Sequence, residues 1–333
     1  FMKIAQVLAS RGDGGLEKHV YELSLALAER GHEITVIADP VFIRKLPTHI
    51  QSIAIPSHYS RHDPRLLWSL GKSFRQGQFD IVHAQANKAA TLVNSLRYFF
   101  SGQRVATLHN IKRQLGAYRH FNQVIAVSKH LAKPFADENV TVIYNGIRTP
   151  LITKGLQEKP NAFPLLLAVG RLVPAKGFDV LIKAVADLPV TLWIAGDGPQ
   201  KEHLQSLIDA LSTTADIQLI GDRQDIIPLM QQADALIISS RREGFSYVFN
   251  EALLTQCRVL ATDVPVANEI LSEELIVPID DPQVLKERLQ SLLADMSQWS
   301  ALMQKPYAVA EQCMTLTAMT DQTLALYRKL ISS

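Results

Sequence analysis

The sequence predicts an α/β protein built from two doubly wound parallel-sheet domains, and three observations carry that reading. The chain opens as strand, glycine loop, helix, strand. Short apolar runs then recur as buried parallel strands do, and after a break in periodicity a second such series begins. At 333 residues the chain also exceeds the roughly 100 to 200 of a single domain.

The opening unit has a strand at residues 3–9, the loop Gly12-Asp13-Gly14-Gly15, a helix at 16–30 and a strand at 33–38. Gly31 ends that helix as a C′ residue does. Further strands are predicted at 81–83, 105–108, 124–127 and 141–143. Between residues 148 and 164, Thr-Pro, Lys-Gly and Lys-Pro steps mark a linker. The second series places strands at 165–169, 191–195, 217–220, 235–239, 259–262 and 275–278. The last segment, 308–330, has helical spacing, lies well past the final strand, and is expected to cross back onto the first domain. The predicted domains are residues 1–150, with a return of about 310–333, and residues 164–309.

Composition excludes disorder: 47% of residues are hydrophobic and 20% charged. Cys257 and Cys313 form no CxxC and sit in apolar-periodic segments, so buried thiols and a reducing cytoplasm are expected. Phe1 reads as a residue ahead of an initiator Met2, and the apolar run 4–9 is too short for a signal or a membrane span. Residues 1–150 hold 19 Lys and Arg against 10 Asp and Glu, and the remainder 15 against 22, about +9 and −7. Nine of the ten histidines lie in the first half, whose positive potential is expected to rise at mildly acidic pH. A basic half carrying Arg97, Arg104, Lys112, Arg113 and Arg119 points to an anionic partner, either a phosphorylated acceptor or the inner face of the cytoplasmic membrane. Nucleic acid is not an expected partner.

In open α/β sheets ligands bind at the carboxyl ends of strands. After strand 165–169 comes Gly170-Arg171-Leu172-Val173-Pro174-Ala175-Lys176-Gly177, where Arg171 and Lys176 could grip a diphosphate together. Spacing alone does not separate that from a solvated loop. After strand 235–239 comes Arg241-Arg242-Glu243-Gly244-Phe245-Ser246, then a helix holding Glu251. Ser246 is a candidate N-cap, and a helix start behind glycine offers free amides to an anion. Glu243 cannot bind phosphate but can accept bonds from sugar hydroxyls; Glu251 can take ribose hydroxyls. Gly14 and Gly15 let backbone approach a ligand but form no GxGxxG. Asp39 fits the spacing of a dinucleotide ribose ligand, yet the third glycine is missing. Gly196-Asp197-Gly198-Pro199 reads as a turn.

Together these residues resemble glycosyltransferase family 4, of the two-domain GT-B fold, across nearly the whole chain. The resemblance rests on Gly14-Gly15, His109 in Thr107-Leu108-His109, Asn145-Gly146-Ile147, Gly170-Arg171 with Lys176-Gly177, Gly196-Asp197-Gly198-Pro199, Gly221-Asp222-Arg223, and Glu243 followed by Glu251. It implies two Rossmann-like domains facing a central cleft. It further implies that Arg171 and Lys176 neutralise a donor diphosphate, that Glu251 binds ribose and Glu243 the donor sugar, and that His109 lies near sugar and acceptor. The stretch at Arg223 would contact the base largely through backbone, which leaves uridine and guanosine unseparated. Ser246 stands where many relatives have glycine, and Cys257-Arg258 replaces a common Cys-Gly step, so sugar identity is open.

The function expected is retaining transfer of a hexose-type unit from a nucleotide sugar to a glycan or lipid-linked acceptor, of the bacterial lipopolysaccharide core or surface polysaccharide kind. No Asp-x-Asp pair ends a strand, so no metal or other cofactor is expected. A nucleotide-sugar epimerase on the same fold, and a non-catalytic nucleotide-binding scaffold, are the rival readings.

Overall fold

The computed structural model describes residues 1–110, 115–136, 139–151 and 163–332. They divide into two compact units: Phe1–Arg148 with Cys313–Ser333, and Thr149–Gln312. Lys112, Arg113 and most of the predicted linker lie outside the described residues.

Unit 1 runs β1 (Lys3–Leu8), α1 (Gly15–Glu29), β2 (Glu33–Ala38), α2 (Pro40–Ile43), β3 (Gln51–Ala54), α3 (Pro64–Gly77), β4 (Ile81–Gln85), α4 (Ala86–Ser95), β5 (Gln103–Leu108), β6 (Gln123–Ala126), α5 (Lys129–Ala132) and β7 (Val140–Val142). Its strands form one parallel sheet in the order β3-β2-β1-β4-β5-β6-β7. The order reverses between β1 and β4, where Leu8 pairs with Gln85. Strand β3 is not among the strands that the sequence predicts: its sequence QSIA is largely exposed at the sheet edge and offers no apolar run.

Unit 2 comprises β8 (Leu165–Val169), α6 (Phe178–Val185), β9 (Thr191–Ala195), α7 (Lys201–Ala210), β10 (Asp216–Gly221), α8 (Ile226–Gln232), β11 (Ala235–Ile238), α9 (Tyr247–Leu254), β12 (Arg258–Thr262), α10 (Ala267–Ile270), β13 (Ile276–Val277), α11 (Pro282–Ala294) and nearly all of α12 (Met296–Cys313). Its parallel sheet has the order β10-β9-β8-β11-β12-β13, reversing between β8 and β11. Both sheets are the doubly wound arrangement that the sequence predicts.

The chain then returns to unit 1 as α13 (Leu316–Ser332), which packs on α1. Leu316, Met319, Leu324 and Tyr327 join Val20, Leu23 and Leu27 in one core cluster. Burial of this apolar stripe holds the returning helix in place. Backbone fixes its register: the Leu316 amide donates to the Ile147 carbonyl at 2.7 Å. Gly146 is needed there, because a Cβ would meet the Thr315 carbonyl oxygen at 2.1 Å. Cys257 is a buried free thiol, whereas Cys313, expected to be buried, is only partly so because it sits in the last turn before this crossing.

Candidate functional site

In unit 2 the predicted site residues Arg171, Lys176, Glu243 and Ser246 follow the two strands between which the order reverses. The loop after β8 carries Arg171 and Lys176, and the loop after β11 carries Ser240 and Glu243. Lys176 Nζ lies 2.6 Å from Oε1 of Glu243, and the Ser240 hydroxyl donates to that same oxygen at 2.7 Å. Lys176 reaches it across Gly170, where a Cβ would meet Lys176 Cε at 3.1 Å. Arg171 is exposed. Just beyond, the Ser246 hydroxyl accepts from the Phe249 amide at 3.3 Å and caps α9. Gly244 and Phe245 form the half-exposed approach to that helix start, and Glu251 is half-buried on α9 itself.

The two loops are tied together. Arg241 donates from both Nη atoms to the Asp179 carboxylate at 2.9 and 2.8 Å, contacts Asp280, and donates to the Pro174 carbonyl at 2.7 Å. The Asp179 bonds push its pKa further above the ordinary value, so Arg241 is a structural cation. The Gly196–Gly198 stretch presses on the Arg171 loop from the other side: the Leu172 amide donates to the Asp197 carbonyl at 2.9 Å. A Cβ on Gly196 would meet the Gly170 carbonyl oxygen at 1.9 Å. These glycines therefore serve close backbone packing beyond the turn expected of them. Arg223, after β10, is engaged bidentately by Asp225 at 2.8 and 2.7 Å.

In unit 1 the glycine loop follows β1 and is anchored by Glu17. Its buried carboxylate accepts from the Gly14 amide at 2.8 Å and from the Ser10 hydroxyl, while Gly14 and Gly15 stay exposed at the start of α1. His109, past the end of β5, is buried with its ring centroid 4.7 Å from that of His19 on α1. A hydrogen-bond chain starts from it. His109 Nε2 donates to Gln85 Oε1 at 2.9 Å, Gln85 to Gln6 at 2.8 Å and Gln6 to the Tyr327 hydroxyl at 3.3 Å; that hydroxyl is bonded to His83 Nδ1, and His83 Nε2 lies 2.6 Å from the Thr107 hydroxyl and 3.4 Å from Gln85 Nε2. The bond to Gln85 Oε1 puts the His109 proton on Nε2 and leaves Nδ1 as an acceptor.

Burial keeps these imidazoles neutral. It drives His19 down to about 4 against one raising bond from Asn145, and His83 to about 3. His109 falls well below the ordinary value, first through burial and then through the neighbouring imidazoles. The expected rise of positive charge at mildly acidic pH is thus corrected for His19, His83 and His109, which lack the hydration that a charged ring needs. Asp39 is buried and held by the Val41 amide at 3.0 Å and the Ser57 hydroxyl at 2.6 Å, so its carboxylate serves the loop after β2.

Residues 13–150 match the model described as Glycosyltransferase Family 4, and residues 154–307 match the model described as Glycosyl transferases group 1. Together the two span most of the chain. The chain belongs to these glycosyltransferases. The lipopolysaccharide core biosynthesis glycosyltransferase LpsE of Rhizobium meliloti (strain 1021) is 26% identical to it over 330 residues, covering 94% of this chain and 96% of LpsE. Among solved structures, Anabaena Alr3699/HepE in complex with UDP superposes with a TM-score of 0.84 at 22% identity, over 98% of this chain and 100% of that one. A glycosyltransferase from Rickettsia africae ESF-5 gives 0.83 at 19% identity, over 99% and 98%. The shared fold is GT-B.

Within this glycosyltransferase the structure joins Lys176 to Glu243 and sets both beside the Ser246 cap, while Arg223 stands apart with Asp225. His109 and the Gly14-Gly15 loop belong to unit 1. Sequence reasoning misses Ser240, Glu17, His19 and Gln85. Glu17 has a readable signal, the acidic residue three positions after the helix cap. The others announce themselves only through contacts. Of the cations expected to meet an anionic partner, Arg104 donates to the His120 carbonyl and the half-buried Arg97 to the Asn94 carbonyl, each at 2.9 Å, while Arg119 is exposed.

Proposed function

We propose that this glycosyltransferase moves a hexose-type sugar from a UDP-sugar to a hydroxyl of a glycan or lipid-linked acceptor, retaining the anomeric configuration. Its setting would be bacterial lipopolysaccharide core or surface polysaccharide assembly, in the cytoplasm. The observation that carries this reading is the Lys176–Glu243–Ser240 cluster at the strand reversal of unit 2, beside the capped start of α9. The likeness to LpsE supports the pathway, and the UDP complex of the HepE neighbour supports the nucleotide.

In this reading the donor diphosphate lies against Arg171, Lys176 and the α9 amides. The bond from the anomeric carbon to the β-phosphate oxygen breaks as the acceptor oxygen attacks from the same face, and that phosphate oxygen takes the acceptor proton. Glu243 orients sugar hydroxyls, Glu251 holds ribose, and backbone near Arg223 meets the base. His109, neutral with Nδ1 as acceptor, accepts a hydrogen bond from a hydroxyl of sugar or acceptor, and the Gly14-Gly15 loop gives close backbone approach to phosphate or acceptor. No cofactor enters the scheme. The diphosphate charge is left to cations and amides. The acceptor is proposed to carry phosphate, matching the basic charge of the first 150 residues.

Thermal shift with nucleoside diphosphates and then their sugars tests donor choice, because a ligand of the folded state raises its apparent stability. Incubation with donor alone separates the rivals. Slow hydrolysis to sugar and nucleotide fits a transferase, an epimer shows an epimerase, and binding without any turnover, with or without acceptor, shows a scaffold.

A further inference from the structure

Unit 1 carries a second surface, at the opposite ends of its strands. Trp68 is 71% exposed, Tyr98 83% and Phe99 48%. Each has a cation over its ring: Lys72 lies 5.7 Å from the Trp68 centroid, Arg75 6.0 Å from Phe99, and Arg97 4.5 Å from Tyr98. Trp68, Lys72 and Arg75 follow one another at helical spacing on the outer face of α3, whose other face buries Leu66, Leu70 and Phe74. Between α3 and the residues after α4 lies a mainly apolar groove of about 550 Å³, with Trp68, Gly71, Leu96 and Phe99 in its walls. A second hollow of about 680 Å³ adjoins it, reaching Phe79 and Gly102 just before β4 and β5, and Ile331 near the end of α13.

Neither α3 nor residues 94–104 contain a carboxylate. Asp80, in the wall of the adjoining hollow, accepts the Lys3 amide at 2.7 Å. The face therefore combines protruding aromatic rings, an apolar groove and three cations, with Asp80 the one carboxylate in the walls of the two hollows. A second copy of the chain would set like charges against each other, and a purely apolar partner would strand the cations. A bilayer with anionic headgroups satisfies both parts, since Trp and Tyr rings settle at the headgroup level and Lys and Arg meet the phosphates.

We propose that this face is the docking surface of the protein on an anionic lipid bilayer. It differs from the surface that sequence charge alone indicates, because its exposed cations are Lys72 and Arg75 and only Arg97 is shared. The face sits at the amino ends of β4 and β5, whereas Gln85 and His109 sit at or past their carboxyl ends. Roughly 15 Å of strand separates them. Docking here leaves the glycine loop and His109 uncovered, and it stands independently of the reaction proposed above.

The test uses the full chain with phosphatidylcholine vesicles, with and without phosphatidylglycerol. Co-sedimentation is expected only with the anionic vesicles and is weakened by salt. Trp68 is the exposed one of three tryptophans, Trp193 being partly and Trp299 fully buried, so its emission should shift to the blue on binding. The variant Lys72→Gln/Arg75→Gln/Arg97→Gln should partition on the order of 100-fold more weakly, at about fivefold per cation. Trp68→Ala/Tyr98→Ala should lose the fluorescence change and most binding, while Arg119→Gln, away from the groove, should lose little. All should keep the wild-type melting temperature and the same thermal shift with UDP. Wild-type protein that ignores anionic vesicles, binds neutral ones equally, or is matched by the groove variants would overturn the proposal. A missing UDP shift in wild type would count against the donor reading alone.

Discussion

Lys176 Nζ and Glu243 Oε1 are 2.6 Å apart at the strand reversal of unit 2, with Glu243 only 8% exposed. A cation paired this closely to a carboxylate is oriented in advance, and in the proposed site donor binding exchanges part of that pair for phosphate. Lys176→Ala should therefore lose a charge-assisted contact of about 1.5–3 kcal/mol, weakening UDP binding roughly 10- to 100-fold. Glu243→Gln keeps the shape and removes the charge, so UDP binding should persist while transfer falls by a similar factor. Calorimetric titration with UDP and initial rates with donor sugar check both. Equal UDP affinity in Lys176→Ala and wild type would remove Lys176 from the diphosphate site.

Metal independence is the expectation that the proposed donor site carries. If Arg171, Lys176 and the α9 amides meet the leaving-group charge as proposed, turnover should survive dialysis against EDTA within about twofold. Loss of activity on chelation, restored by magnesium or manganese, would instead require a divalent ion.

Tyr327 joins the last helix to the His109 chain through two bonds: Gln6 donates to its hydroxyl, and the hydroxyl is bonded to His83 Nδ1. Tyr327→Phe would leave a buried amide proton and a buried ring nitrogen without partners, at about 1–3 kcal/mol. Urea denaturation should show that loss without a change in slope. Because the ring stays in place against α1, the helix should remain docked, and far-ultraviolet dichroism should match wild type.

The fold is legible because parallel strands covered on both faces must be apolar runs, and those runs appear at residues 165–169, 191–195 and 235–239 almost as observed. Strand β3 is not, since an edge position exposes Gln51 and Ser52 and erases the pattern. The positions of Lys176, Glu243 and Ser246 can be read from strand ends and a cap residue. What they touch cannot: His83 and Tyr327 meet across 244 positions, and nothing local to Arg241 announces that Asp179 will hold it. Pairing depends on tertiary packing, which sequence spacing does not encode beyond a helix turn or a strand repeat.

Acid should act on stability through the buried histidines. The folded-state pKa of His19 is about 4 and that of His83 about 3, both below the ordinary 6.5, so the unfolded chain takes up protons first as the pH falls. Stability is complete above pH 6.5 and declines as the pH drops toward those values, by on the order of 2 kcal/mol per histidine at pH 5. The Tm of unit 1 should fall by roughly 10 °C between pH 7.5 and pH 5. Scanning calorimetry measures this, and a His83→Gln variant should show a shallower decline. A flat profile would mean that these rings are hydrated in solution.

Two glycines with positive φ separate close approach from conformation alone. Gly31, at φ +81 after α1, has open space where a side chain would begin: a methyl there would meet nothing within 4 Å, so Gly31→Ala should cost only the left-handed penalty of about 1–2 kcal/mol. At Gly196, φ +147, a Cβ would lie 1.9 Å from the Gly170 carbonyl oxygen, so a methyl there must push back the loop that carries Arg171. Gly196→Ala should be the more destabilising, by more than about 3 kcal/mol, since overpacking here is against backbone that cannot rotate away. It should also weaken UDP binding, which Gly31→Ala should leave unchanged. Equal losses of stability in the two variants would show that the Arg171 loop yields, and that Gly196 is there for its backbone angles and not for the space it leaves.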